Sequence, residues 1–241
     1  MVITSKDNNR VKAVRKLHKK KERDKNRQYL IEGEHLVEVA LSSEAEIDEI
    51  FILDGITFDL DFKNITVTTV NESVMKSLST LVTPPGILAV VNEANMNVDS
   101  NRVLILDGIQ DPGNLGTLIR TADAFNFKHI VMSNDTVDAY NDKVLRSAQG
   151  SHFHVKLERT DLKHFLQSFE GKVLTTSLAG EETSKSVKEE KLALILGNEG
   201  KGVSEEIQQE ANTLVRITMP GHAESLNVAV AGGILMHEFK V

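Results

Sequence analysis

The 241-residue chain has no cysteine. That excludes disulfide staples, thiolate metal ligands and cysteine nucleophiles, and it suits a reducing cytoplasm. Long apolar runs are missing too, since none nears the roughly 18 residues of a membrane span. The opening MVITSKDNNR is polar and lacks the apolar core of a signal peptide. A cytoplasmic protein with no membrane partner is therefore expected. There is no internal repeat or low-complexity tract. Positive charge is in overall deficit, with 28 Lys and Arg against 35 Asp and Glu, a net −7. Taken whole, that argues against nucleic acid, because phosphate binding rests on Lys and Arg releasing counterions.

The distribution of charge says otherwise. Between Lys6 and Arg27 stand Arg10, Lys12, Arg15, Lys16, Lys19, Lys20, Lys21, Arg23, Lys25 and Arg27, opposed only by Asp7, Glu22 and Asp24. This is a local basic patch on an acidic protein, or equally a solvated helix face. Val11, Val14 and Leu17 recur within it at three-residue spacing and predict a short amphipathic helix.

With 40% hydrophobic and 26% charged residues the chain can bury a core. Its length favours two modest domains. After the basic stretch, an extended piece ending at Ile31 turns at Gly33 into a helix carrying Leu36, Val37, Ala40 and Leu41. Strands follow at 50–53, 65–70 and 87–91, with a helix near 71–78. The polar segment 92–102 is the linker candidate, which sets domains at 1–97 and 98–241. Beyond it short apolar strands begin near Val103, His129, His154, Val173, Leu192 and Leu214, with helices between them. That pattern predicts a mostly parallel sheet covered on both faces, with ligands outside the carboxyl ends of its strands.

Three of those strand ends carry unusual loops. In the first, Asp111, Pro112, Gly113, Asn114 and Gly116 precede a helix whose apolar stripe of Leu115, Leu118, Ile119, Ala122 and Phe125 leaves Arg120 off the core. Glycines let backbone N–H groups approach a ligand, and the helix start favours an anion. A tight turn with a surface arginine reads equally well. In the second, Gly197, Gly200 and Gly202 surround Glu199 in a G-x-x-G-x-G spacing. Neither the Rossmann G-x-G-x-x-G nor the Walker phosphate loop has that form. In the third, Pro220 and Gly221 lead to the expected helix N-cap region, where Ser225 and Asn227 read equally as simple caps, and to a helix turning Leu226, Val230 and Ile234 inward. Gly232 and Gly233 in its interior suggest close approach by another backbone, such as a partner subunit's.

Together, in this order, the loops resemble the SpoU (TrmH-like) family of RNA ribose 2′-O-methyltransferases within the SPOUT superfamily, strongly from Val103 to Val241. Met1 to about Val91 is more loosely similar to that family's L30e-like RNA-binding domain. The resemblance implies an α/β fold: a C-terminal trefoil-knotted methyltransferase domain after a small α/β domain. It further implies an S-adenosylmethionine cofactor, an RNA partner that is ribosomal rather than transfer RNA, no metal, and a homodimer with active sites at the interface. It assigns catalytic roles to Asn114, Arg120, Glu199, Ser225 and Asn227, with Asn114 supporting Arg120. Cofactor contacts fall at Gly197, Gly202, Ile217, Met219, Leu226 and Asn227. RNA contacts fall at Arg10, Lys12, Arg15, Lys16, Lys19, Lys20 and, from the stretch RSAQGSHF, Arg146. The rival readings are a non-catalytic RNA-binding protein on the same fold and an unrelated glycine-loop nucleotide enzyme; cofactor choice separates the latter.

Overall fold

The structure is a computed structural model that describes residues 2–43, 45–182 and 191–240. The chain forms two compact units, one of 1–95 with 140–153 and the other of 96–139 with 154–241. A single cut between 97 and 98 leaves 140–153 in the second part, whereas its contacts lie in the first.

In the first unit the basic stretch makes two helices, α1 (Asn9–Lys16) and α2 (Lys20–Asn26), rather than one. The Asn8 side chain caps α1 by accepting from the backbone N–H groups of Arg10 and Val11, and the helix stops at Leu17. Strand β1 (Gln28–Glu32), helix α3 (Glu34–Ser42), strands β2 (Ile47–Leu53) and β3 (Thr66–Val70), helix α4 (Glu72–Leu78) and strand β4 (Ile87–Asn92) follow. The sheet order is β1-β4-β2-β3, with β4 antiparallel to both neighbours and β2 parallel to β3. Side chains alternate faces along a strand, and the two cores obey this. Tyr29, Ile31, Ile50, Ile52, Ile87, Ala89 and Val91 pack with α3 on one side. Leu30, Phe51, Leu88 and Val90 pack with α1 and α4 on the other, where Val11, Val14 and Leu17 are buried as the spacing predicts.

The second unit holds β5 (Arg102–Asp107), α5 (Pro112–Ala124), β6 (His129–Met132), β7 (Lys156–Arg159), α7 (Leu162–Gln167), β8 (Lys172–Glu182), β9 (Leu192–Gly197), α8 (Glu205–Gln208), β10 (Thr213–Arg216) and α9 (Val228–Glu238). Between β6 and β7 the chain crosses to the first unit and back. There it forms α6 (Asp142–Ala148) and a short 3-10 turn. Leu145 joins the α3-side core. Gly150, at φ +92°, lies where a Cβ would come within 2.7 Å of Val39.

The sheet of the second unit is parallel throughout, in the order β10-β8-β9-β5-β6-β7. Its central strands β5 and β9 are buried along nearly their whole length, as continuous apolar runs in a covered parallel sheet must be. Among the described residues no helix is long and apolar enough to cross a membrane.

Helix α9 takes the second of its two expected caps and departs from expectation in its buried face. Its N-cap is Asn227, whose side chain accepts from the N–H groups of Ala229 and Val230, so Ser225 lies outside the helix. Ala229, Gly232, Leu235 and Met236 face inward, whereas Leu226, Val230 and Ile234 are exposed at 36%, 52% and 43%. The inward and outward sets are both apolar, so composition did not mark the buried face. At Gly232 the close approach is by side chains of the same chain: a Cβ there would come within 2.5 Å of Leu118 and 2.7 Å of Leu196.

Candidate active site

Because all six strands run one way, the loops after β5, β9 and β10 leave the sheet at one edge, where ligands of open α/β sheets bind. The loop after β5 is set by Asp111, which caps α5 by accepting from Asn114 N–H at 2.8 Å, with Pro112 in the first helical turn. The loop after β9 folds back on itself, Asn198 N–H donating to Gly202 carbonyl at 3.0 Å and Gly202 N–H to Asn198 carbonyl at 2.9 Å. That hairpin requires Gly197, where a Cβ would meet backbone of Gly202 and Val203 at 2.1 Å, and Gly202, whose φ is +74°. The Asn198 amide donates to Gly108 carbonyl at 2.8 Å and ties the two loops together.

Glu199 is the hub. Its carboxylate accepts from the backbone N–H groups of Gln110 (3.2 Å) and Asp111 (3.1 Å) and from the Asn114 amide (3.1 Å). Partial burial raises its carboxyl pKa. The Asn114 amide and the backbone N–H groups of Glu199, Asp111 and Gln110 outweigh that and hold it below the ordinary glutamate value. Asn114 in turn accepts from the Asn227 amide at 2.9 Å. One chain of bonds, Glu199 to Asn114 to Asn227, thus joins all three strand-end loops. The Asn114 amide is spent on Glu199 and Asn227, not on Arg120. Arg120 is exposed on α5, and its guanidinium makes no hydrogen bond or ion pair among the described residues.

Beside this chain opens a cleft of about 610 Å³, lined in part by Leu196, Gly197, Glu199, Lys201, Gly202, Arg216, Ile217, Met219, Glu224, Ser225, Leu226 and Asn227. Every sequence-derived cofactor position lines it: Gly197, Gly202, Ile217, Met219, Leu226 and Asn227. So do Glu199 and Ser225, whereas Asn114 and Arg120 do not. Its donor set suits a nucleoside carrying an amino-acid tail. Leu196, Ile217, Met219 and Leu226 give apolar walls, the glycine hairpin gives close backbone groups, and both signs of charge stand at the rim. Among the described residues no group of three His, Asp or Glu is placed to hold a metal.

Of the seven RNA candidates, the structure occupies four with carboxylates. Arg10 pairs with Asp48 and Glu49, Lys12 with Asp7, Lys20 with Asp24 and Arg146 with Asp142. Arg15, Lys16 and Lys19 are exposed and unpaired among the described residues. Sequence reasoning missed Asp111, Gln110 and Asn198 as organisers of the site. The Asp-Pro pair at a helix start signalled the first; nothing in the pattern signalled the other two.

The family model described as the SpoU rRNA methylase family matches residues 101–237, and one described as an MRM3-like substrate binding domain matches 8–89. The 23S rRNA (guanosine(2553)-2′-O)-methyltransferase RlmP of Bacillus subtilis is 41% identical, with 99% of this chain and 98% of that protein covered. The 23S rRNA (guanosine-2′-O-)-methyltransferase RlmB of Bordetella pertussis is 33% identical over 64% of this chain and 69% of its own length. A crystal structure of an AdoMet-bound rRNA methyltransferase from Sinorhizobium meliloti superposes with a TM-score of 0.85 at 30% identity, covering 99% of this chain and 97% of that one.

Proposed function

We propose, from the premise that this chain belongs to the SpoU rRNA methylase family, that it methylates a guanosine 2′-hydroxyl of 23S rRNA with S-adenosylmethionine. The observation that carries this is the Glu199–Asn114–Asn227 chain closing three strand-end loops beside the cofactor-sized cleft. The guanosine and the 23S rRNA are supported by the substrates in the names of RlmP and RlmB.

The cofactor supplies a sulfonium-bound methyl that is already activated. Gly197, Gly202, Ile217, Met219, Leu226 and Asn227, which line the cleft, would hold it there. The protein must then bring one ribose hydroxyl into line and let one proton leave. Arg120 suits the first task, since its planar fork can grip a ribose oxygen and an adjacent phosphate together. It does not suit the second: an arginine stays protonated, so the hydroxyl proton departs late, to phosphate or water. Glu199 remains ionised and keeps the loops closed; Ser225, exposed at the rim, meets the acceptor strand.

Arg120 lies outside the lining of its own chain's cleft, and α9 carries the exposed apolar residues Val230 and Ile234, with exposed Leu226 just before its N-cap. A homodimer pairing this face with its copy accounts for both, because a helix apolar all round belongs in an interior. In this reading the first unit grips the RNA through Arg15, Lys16 and Lys19, and the second, with the trefoil knot the family resemblance implies, performs the transfer in the cytoplasm.

The test is mass spectrometry of ribosomal and transfer RNA from cells with and without the gene, with in vitro transfer by wild type and Arg120→Ala. A 2′-O-methylguanosine of 23S rRNA that vanishes with the gene and returns with wild type alone is expected. Unchanged methylation of both RNAs, with no binding of labelled cofactor, moves a non-catalytic RNA-binding role to first place.

A further inference from the structure

We propose that Arg159, at the end of β7, is a positioning residue for methyl transfer that acts through the loop after β6 on the segment holding Glu199. The inference rests on the function proposed above. Arg159 Nη1 donates to the backbone carbonyls of Ser133 (2.6 Å), Asn134 (3.1 Å) and Thr136 (2.7 Å), and Nη2 to that of Val137 (2.9 Å). Four carbonyls from five consecutive residues thus converge on one cation. Loop carbonyls ordinarily turn to water. Turned inward, their dipoles oppose one another unless a donor fork stands among them, and a guanidinium supplies that fork where a lysine ammonium supplies a single nitrogen.

The loop so gathered is braced against the segment after β5. Ser133 Oγ accepts from Gly108 N–H at 2.9 Å, Val137 N–H donates to Ile109 carbonyl at 2.8 Å, and the Gln110 side chain donates to Asp135 carbonyl at 2.8 Å. At Gly108, whose φ is +73°, a Cβ would sit 3.2 Å from Asp135 Oδ2, so the two loops touch. The braced segment presents the Gln110 and Asp111 N–H groups that hold the Glu199 carboxylate. The path therefore runs from Arg159 through 133–137 and 108–111 to Glu199, and from there to Asn114 and Asn227. The cofactor cleft takes its walls from Thr176 and from 196–202, 215–219 and 224–231, so the path reaches it at Glu199 and Asn227 and leaves its other walls untouched. Loss of Arg159 should consequently slow transfer far more than it loosens the cofactor.

The experiment uses the full-length protein with 23S rRNA. It compares Arg159→Met, Arg159→Lys, Gln110→Ala and the double variant Arg159→Met with Gln110→Ala for kcat, and titrates each with S-adenosylmethionine by calorimetry. Expected are a kcat at least tenfold lower for Arg159→Met with the cofactor Kd within twofold, partial recovery in Arg159→Lys, and a double variant no worse than its worse parent, because both changes cut one path. A kcat within twofold of wild type overturns the proposal. So do losses that multiply in the double variant, or a Kd that rises in step with the loss of kcat, which marks general unfolding. If Arg159→Met does not fold, Arg159→Lys is judged by the same split between kcat and Kd. A wild type that transfers no methyl group sinks the proposed function itself; an active wild type with an indifferent Arg159→Met sinks only this inference.

Discussion

Replacing Gly197 with alanine should damage cofactor binding far more than it damages the fold. The new Cβ would stand 2.1 Å from Gly202 carbonyl carbon and Val203 nitrogen and 2.4 Å from Gly202 oxygen. Carbon contacts settle at about 3.5 to 4.0 Å, so the main chain at 202–203 must retreat by more than about 1 Å. Backbone cannot rotate away as a side-chain tip can. The retreat breaks the reciprocal Asn198–Gly202 pair of hydrogen bonds. At about 0.5–1.5 kcal/mol each, the formed hairpin loses about 1–3 kcal/mol relative to open forms. If only the formed hairpin binds, the apparent Kd for S-adenosylmethionine rises by up to about 5- to 150-fold, the full factor being reached where open forms dominate. Calorimetric titration measures this, with thermal unfolding alongside. Gly221→Ala is the control, since no atom lies within 4 Å of its added Cβ; it should leave Kd within twofold. A Gly197→Ala protein with wild-type affinity would refute the argument, because it would show that the hairpin either tolerates the clash or takes no part in binding.

Asn227→Ser should keep the α9 cap and lose the amide that bonds Asn114. The melting temperature should then stay near wild type while kcat falls. Asn227→Ala loses both and should cost a further ~1 kcal/mol of stability. Changing Arg15, Lys16 and Lys19 together to Gln should flatten the slope of log affinity for RNA against log salt by roughly 2 to 3, and an unchanged slope would remove them from the interface. Val230→Glu with Ile234→Glu should give a monomer in sedimentation and abolish transfer, whereas an active monomer would sink the shared-site reading. For Glu199 the folded carboxyl pKa is depressed, so its contribution to stability is present above the ordinary glutamate value of about 4.3 and is lost as pH falls through the lower folded value. The unfolding gap between wild type and Glu199→Gln should therefore be widest above the ordinary glutamate value and shrink as pH falls below it; a gap that grows on acidification would contradict the hydrogen-bond assignment.

Much of the fold was legible because the sequence obeys two periods. Tyr29 and Ile31 pack on one face of the first sheet and Leu30 on the other, and the uninterrupted LALIL of β9 belongs to a covered parallel sheet. The proposed cofactor positions came from the family resemblance, and the fold brings all six to the lining of one cleft. The seat of α6 was not legible. Its contacts with α3 and β1 cross more than a hundred residues, and local periodicity carries nothing about which sheet a helix covers. The exposed face of α9 was misjudged because Leu226, Val230 and Ile234 differ in no local respect from the buried Ala229, Leu235 and Met236. Arg159 was hidden for a related reason. It ends KLER, a charged run on an edge strand, which reads as ordinary protection of a sheet edge.

The basic residues show how the structure adds what a charge count cannot. By sequence Arg10, Arg15, Lys16 and Arg23 belong to one basic stretch. In the fold Arg10 is held by Asp48 and Glu49, and buried Arg23 donates to the carbonyls of Leu17 and His18 at the break between α1 and α2. Arg102 donates to the carbonyl of Phe239 at 2.6 Å and pins the end of α9. Arg159 gathers the loop after β6. Each spends its donors on this chain and has few left for a phosphate. Arg15, Lys16, Lys19 and Arg120 keep theirs, exposed and without partners among the described residues. The fold thus divides its cations into those that hold it together and those that face outward. On a protein of net −7, with charge screened beyond about 8 Å at physiological salt, the proposed grip on RNA rests on this second group and not on the total.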